Sequence, residues 1–327
     1  MGETRAVSVV GWTEWQTLAI TPPPSAAVLA ETVDGGQAFR WQRERSAVDG
    51  VPPPRDTWLG QWDHHVARLR LDERGQLQWS AQAHDTGAAL AHYLDGNGDP
   101  HALADSLPWR SDAHLARCLA AFPGLRILRQ PFGETLLGFL CSATKQIVQI
   151  KQMMALLAAR HGVEISSDGG ARPPGAPDDP RRAQQSVPTF NRLPTWTEIA
   201  AVPEAELRAC LLGFRARYIH QTAQHIAAHP GWLEETEALP YAEAKARLVS
   251  LPGVGEKVAD CVLLFGAGRL EAFPVDVWIL KTMAKRYGLE GWKPAQVAQF
   301  GRAHFGPLAG LAQQYLFAWE RAEARRS

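Results

Sequence analysis

Apolar and polar positions change rhythm near residue 87. Before that point the chain offers short runs, AVLAETV (27–33), FRWQRE (39–44), TWLGQW (57–62), VARLRLDE (66–73) and GQLQWSAQ (75–82). Turn chemistry separates them: DGG (34–36), DGVPPPRD (49–56) and DERG (72–75). In 67–71, Ala67, Leu69 and Leu71 alternate with Arg68 and Arg70, the period of a strand with one wet face. These runs predict one antiparallel sheet. After Gly87, apolar residues recur at three-to-four spacing in GAALAHYLD (87–95), DAHLARCLAAF (112–122), the long stretch 134–162 and EAELRACLLG (204–213), which predicts helices. The segment 162–188 is rich in Gly, Pro and charge and reads as a flexible surface insertion. The fold class expected is α+β: a β-rich N-terminal domain over 1–110 packed on an all-helical domain over 111–327.

Composition narrows the function little. Lysine plus arginine equals aspartate plus glutamate at 34 each, so net charge points to no partner. It leaves room for a local basic face but argues against a protein that coats nucleic acid non-specifically. No apolar run approaches the ~18 residues of a membrane span, and residues 1–16 carry no basic stretch followed by an apolar one, so neither membrane partner nor secretion signal is expected. Cys118, Cys141, Cys210 and Cys261 stand singly, without the spacing of a zinc or iron–sulfur site. No metal or other cofactor is expected, and the thiols read as buried and reduced in an intracellular protein.

The densest chemical signal is LPGVGEKVADC (251–261). YAEAKARLVS before it and EKVADCVLLFGA after it are helical, and Pro252 ends the first helix. Gly253 and Gly255 permit positive φ and close approach of another backbone. With Val254 they form a turn whose free N–H groups face out from a helix start, a seat for a phosphate. An ordinary helical hairpin has the same outline. Lys257 is the oddity, because a cation in the first turn faces the positive end of the helix dipole. Either it points away into solvent, or its misfit is used. Downstream, Asp276 stands where the next helix starts. It suits an N-cap, and an N-cap carboxylate facing a cleft keeps lone pairs for chemistry.

Seven blocks in order, GQAFRW (36–41), GLRILRQ (124–130), FLCSATKQI (139–147), LGFRARY (212–218), LPGVGEKVADC, PVDVW (274–278) and GPLAGLAQQYLF (306–317), resemble the 8-oxoguanine DNA glycosylases. These belong to the helix-hairpin-helix, Gly/Pro-Asp superfamily. The resemblance spans roughly residues 30–318 and implies a β-rich domain against a helical glycosylase body. It implies a bifunctional enzyme that flips 8-oxoguanine out of duplex DNA, a step costing a few kcal/mol, removes it and cleaves the strand by β-elimination through a Schiff base. The partner implied is double-stranded DNA carrying oxidised guanine. A monomer is expected, in the cytoplasm and nucleoid, or in the nucleus of a eukaryote.

Site roles follow from the same resemblance. Lys257 would attack C1′, and Asp276 would stabilise the positive charge developing there. Lysine ordinarily titrates near 10.4, and a helix terminus supplies only ~0.3–1 kcal/mol, so burial or other cations would have to help it lose its proton. Gly36 would accept the N7–H that distinguishes 8-oxoguanine from guanine, Gln313 would read the Watson–Crick edge, and Cys261 and Phe317 would sandwich the base. Phe214, where tyrosine is commoner, would fill the vacated stack, and Arg215 would contact the orphaned base. Gly253, Val254 and Gly255 would hold phosphate. Thr144 and Gln149 stand where the family carries asparagine and arginine toward the orphaned cytosine. A neutral glutamine does not replace a bidentate cation, so strict cytosine preference is not expected. Trp278 stands where histidine is common. Two other readings remain: a monofunctional alkylbase glycosylase, which needs no lysine, and a non-catalytic helix-hairpin-helix DNA-binding module.

Overall fold

The computed structural model describes residues 11–44, 56–82, 86–165 and 190–326. All but the first four residues of the 162–188 insertion lie outside the described residues.

Five antiparallel strands form one sheet: β1 (Gln16–Thr17), β2 (Trp41–Arg43), β3 (Trp58–Trp62), β4 (His65–Leu71) and β5 (Leu77–Ala81), in the order β1-β5-β4-β3-β2. Trp41, Trp62, Leu69 and Leu77 are buried on the face covered by α1 (Ala26–Asp34) and α2 (Thr86–Tyr93). Large aromatic side chains at alternate positions give this small sheet enough buried area to hold its helices.

Two local expectations are corrected. The run AVLAETV is not a strand but the body of α1. Ser25 Oγ accepts from the Val28 N–H at 3.2 Å, an N-cap, and the helix lies between two cores. Val28 packs on the helical side while Leu29 and Val33, four apart, pack on the sheet side, so a helix buried on opposite flanks loses the polar stripe that marks it in sequence. The Arg68 face of β4 is not wet either. The Arg68 side chain is 11% exposed, stacks at 3.8 Å on Trp12 and pairs with Glu44 at 2.6 Å.

The remainder is helical: α3 (Pro100–Asp105), α4 (Ala113–Ala121), α5 (Phe132–Cys141), α6 (Ile147–His161), α7 (Trp196–Ala201), α8 (Glu204–Leu207), α9 (Arg215–Ala228), α10 (Trp232–Ala238), α11 (Tyr241–Val249), α12 (Glu256–Phe265), α13 (Val277–Tyr287), α14 (Pro294–Phe305) and α15 (Ala309–Arg326). The stretch 134–162, helical by its spacing, is thus two helices. They part at a turn over 142–146, where Thr144 has φ +56°, a left-handed conformation rare for a β-branched residue. A short π-helical segment, Arg208–Leu212, links α8 to α9.

Helices α5 and α12 run antiparallel through the main core. The start of α5 meets the end of α12, where the Gln130 N–H donates to the Phe265 carbonyl at 2.9 Å. The end of α5 therefore meets the start of α12, the end that carries Lys257. Helix α11 is locked to α12 by a buried ion pair, Lys245 to Asp260 at 3.0 Å, with the Tyr241 hydroxyl donating to Asp260 at 2.7 Å. Burial raises the Asp260 carboxyl, against the pull of Lys245 and Tyr241. Removing either partner would leave a buried charge, so the hairpin geometry depends on this trio.

Candidate active site

The turn between α11 and α12 is held from inside and from one side. Leu251 and Val254 are buried and plug it into the core. Gly253 has φ +78°, and a Cβ there would stand 2.8 Å from Tyr218 Cβ, so only glycine fits. The Thr222 hydroxyl donates to the Pro252 carbonyl at 3.2 Å. Tyr218 and Thr222 both belong to α9, so this helix braces the hairpin from one side. Gly255, the N-cap of α12, has no side-chain cap and faces open space, leaving the first-turn N–H groups unmasked by any side chain.

Lys257 is the second residue of α12 and half-buried. Its Nζ donates to Ser142 Oγ at 3.4 Å and lies 5.1 Å from the centre of the Phe139 ring. The positive start of α12 is thereby set against the end of α5, where Ser142 is the C-cap residue. Asp276 caps α13, its Oδ1 accepting from the Ile279 N–H at 2.8 Å. The N-cap reading is therefore correct as far as it goes. The carboxyl is raised above its ordinary value chiefly by burial, offset first by the Ile279 N–H and then by the positive charge of Lys257. Lys257 is near enough for its charge to act on the Asp276 carboxyl, and no ion pair joins the two among the described residues.

Cys261 lies one turn after Lys257 on the same face of α12 and is 3% exposed. Burial pushes its thiol up to about 12, with Lys257 pulling it down and the Asp260 and Asp276 carboxylates pushing it up. Lys257, Cys261 and Asp276 thus share one electrostatic environment.

Gly36 and Phe317 come together from opposite ends of the chain. A Cβ on Gly36, whose φ is +106°, would lie 3.3 Å from Ile147 Cδ1 and 3.6 Å from Phe317 Cε1. Gln313, one turn before Phe317 on α15, is 3% exposed, and its Oε1 accepts from Gln314 Nε2 at 2.8 Å. Behind Gly36, the Gln37 amide donates to the Arg126 carbonyl at 3.0 Å and accepts from the Leu128 N–H at 3.0 Å. The Gln37 carbonyl accepts from Gln130 Nε2 at 2.7 Å. These bonds explain why GQAFRW and GLRILRQ belong together.

Phe214 is 53% exposed at the foot of α9, and Leu211, with φ +63°, is 57% exposed beside it. Arg215 is not open to a partner strand in this structure. It is 3% exposed, and its guanidinium donates to the carbonyls of Leu212 and Ala143 and to Thr144 Oγ1. Its charge also lies 4.4 Å from the Phe214 ring centre. Gln149 stands apart in the first turn of α6, where its Oε1 accepts from the Gln146 N–H at 3.1 Å. Trp278 is 44% exposed two residues beyond Asp276.

Sequence reading missed the hub of this arrangement. The turn after α5 supplies Ser142 to Lys257, Ala143 and Thr144 to Arg215, and Ile147 to Gly36. The signal was present, since all lie in FLCSATKQI, but nothing in the block says which residues it meets. Among the described residues no group of three or more His, Cys, Asp or Glu is placed to hold a metal ion, and no helix is long and apolar enough to cross a membrane.

Comparison with known proteins identifies the family. Residues 139–304 match the family described as HhH-GPD superfamily base excision DNA repair protein, and residues 19–136 match the 8-oxoguanine DNA glycosylase N-terminal domain. The chain is 33% identical over 326 residues to the N-glycosylase/DNA lyase OGG1 of Arabidopsis thaliana, covering 95% of this chain and 81% of that protein. It is 30% identical over 244 residues to a probable N-glycosylase/DNA lyase of Methanothermobacter thermautotrophicus, covering 69% of this chain and 71% of that protein. The Clostridium acetobutylicum 8-oxoguanine glycosylase/lyase, solved with double-stranded DNA containing cytosine opposite 8-oxoG, superposes with a TM-score of 0.77 at 25% identity. That match covers 95% of this chain and all of the other.

Proposed function

The chain belongs to the 8-oxoguanine DNA glycosylases of the HhH-GPD superfamily, and from that premise we propose how its own residues serve the reaction. It is a DNA-binding, bifunctional N-glycosylase/DNA lyase of base excision repair. The substrate proposed is duplex DNA containing 8-oxoguanine, bound by a monomer.

The flipped nucleotide enters with its C1′ between Lys257 and Asp276, while Phe214 occupies the gap left in the stack. The base is held by Cys261 and Phe317, and its N7–H donates to the Gly36 carbonyl. Guanine offers a lone pair at N7 instead, and acceptor against acceptor is repulsive. Gln313 reads the Watson–Crick edge. The hairpin amides of 253–255 hold the backbone phosphate.

The neutral Lys257 amine forms a bond to C1′ as the bond from C1′ to the base breaks, and that electron pair leaves with the base, which takes up a proton. Asp276, ionised, stabilises the positive charge that passes through C1′. The nitrogen loses one proton, its lone pair forms the C=N bond as the C1′–O4′ bond breaks, and O4′ takes up a proton, which gives the protonated Schiff base. Removal of a C2′ proton then expels the 3′ phosphate, the β-elimination step.

The observation that carries this reading is the half-buried Lys257 amine, set 3.4 Å from Ser142 Oγ in the first turn of α12, with Cys261 one turn further on the same face. It also weighs against a monofunctional alkylbase enzyme, which has no use for an amine there. The test is borohydride added during turnover of an 8-oxoguanine duplex. A covalent protein–DNA adduct is expected, absent in Lys257→Gln. Base release without an adduct would assign the monofunctional reading, and binding with neither would assign the non-catalytic module.

A further inference from the structure

We propose that Ser142 is a positioning residue for the reactive amine: its hydroxyl oxygen holds one N–H of Lys257 so that the nitrogen lone pair is directed at C1′. The inference rests on the reading of Lys257 as the nucleophile.

Ser142 has no rotational choice. Its Oγ–H donates to the Phe139 carbonyl at 2.6 Å, a short bond that occupies its only proton. The oxygen can then meet Lys257 only as an acceptor, and Nζ stands 3.4 Å from it. A hydroxyl that is itself donating strongly is a better acceptor, because bonds in a chain polarise one another. The backbone fixes the residue as well. Ser142 is the C-cap of α5, its N–H donating to the same Phe139 carbonyl at 3.1 Å, and the next two residues are clamped by Arg215.

A neutral amine bears two N–H bonds and one lone pair. Two side chains lie within reach of this amine, Ser142 and the Cys261 thiol one turn further along α12. The Phe139 ring closes one side of the amine at 5.1 Å, and the ring supplies no acceptor with comparable direction. Ser142 takes one N–H on the α5 side, which turns the second N–H and the lone pair toward the side shared with Cys261 and Asp276, where the sugar must sit. Reaction depends steeply on such alignment.

The experiment compares Ser142→Ala and Ser142→Thr with the parent protein and with Lys257→Gln, in single-turnover assays on two duplexes. One carries 8-oxoguanine and the other a preformed abasic site. For Ser142→Ala, base release from the 8-oxoguanine duplex and borohydride trapping on both duplexes are expected to fall roughly tenfold, with duplex affinity unchanged. Ser142→Thr keeps the hydroxyl and should recover most of the rate. An equal loss on the abasic duplex ties the defect to the amine rather than to base recognition. Rates for Ser142→Ala within twofold of the parent would overturn the inference, as would a loss matched by weaker binding and not recovered by threonine. If the parent gives no adduct, or Lys257→Gln still gives one, the reading of Lys257 itself fails instead.

Discussion

The Arg215 guanidinium and the Thr144 hydroxyl meet at 2.9 Å, joining two turns that each hold a non-glycine residue in the left-handed region. Thr144 (φ +56°) lies after α5 and Leu211 (φ +63°) lies before Phe214, so one buried arginine staples both strained turns. A left-handed non-glycine residue costs roughly 1–2 kcal/mol, and such strain persists where surrounding contacts over-determine it. Arg215 is that over-determination, which occupies the group expected to reach the orphaned base.

Opposite-base discrimination should accordingly be weak. Excision of 8-oxoguanine facing cytosine is expected to exceed excision facing the other three bases by less than about tenfold, the lower range for one lost bidentate contact. Gln149→Arg should widen the gap, at a cost of about 1 kcal/mol in stability from the α6 capping bond that Gln149 makes. Excision rates from the four duplexes check both statements, and a wild-type preference of a hundredfold or more would show that the staple opens on binding.

Asp276→Asn should abolish excision yet raise the melting temperature at neutral pH. Burial raises the Asp276 carboxyl, so the folded state disfavours its ionised form, and asparagine caps a helix equally well. The sign follows from the raised value: the ionisation penalty is absent below the ordinary carboxylate range and is incurred as pH rises through the folded-state value. The stability gain of the variant should therefore shrink on acidification. Wild-type activity should fall as pH drops through the same raised value. Thermal melts at two pH values, with a pH–rate profile, test this pairing.

Gly253→Ala should destabilise the protein by roughly 1–3 kcal/mol, from left-handed strain plus a 2.8 Å approach to Tyr218 Cβ. The hairpin can relieve the clash only by moving off α9, so DNA affinity should fall further than stability predicts. Gly291→Ala, also at positive φ but with open space around it, is the comparison for strain alone. Equal losses of affinity in the two variants would contradict the role given to the Tyr218 contact.

Phe214→Ala should leave the melting temperature nearly unchanged, because the ring is 53% exposed. Excision should fall by roughly five- to a hundredfold, from a stacking contribution of ~1–3 kcal/mol per base. Phe214→Tyr should restore it. Single-turnover rates set beside melting curves separate a wedge from a merely packed side chain.

Much of this molecule is legible in its sequence where one local signal decides the outcome. Leu251, Val254 and Gly253 declare the hairpin, and the alternation in β4 declares a strand. Legibility fails where burial comes from two sides. Helix α1 is read as a strand because two cores claim its opposite flanks, and Arg68 is read as wet because Trp12, more than fifty residues earlier, covers it. At the site, Lys257 and Asp276 are recognisable singly, as a misplaced cation and an N-cap. That Lys257 reaches Ser142 depends on α5 and α12 lying antiparallel, and on a turn that the helical spacing of 134–162 conceals.

The Gln37 side chain behaves as a false strand. By bonding an amide on each side of residue 127, it splices the glycine before it onto the 126–130 segment without any sheet between them. A carbonyl set in this way has its height fixed by one side chain's length, as a spacer fixes a lens. Shortening that spacer by one carbon, as in Gln37→Asn, would defocus discrimination between damaged and intact guanine while every atom that touches the purine kept its chemical identity.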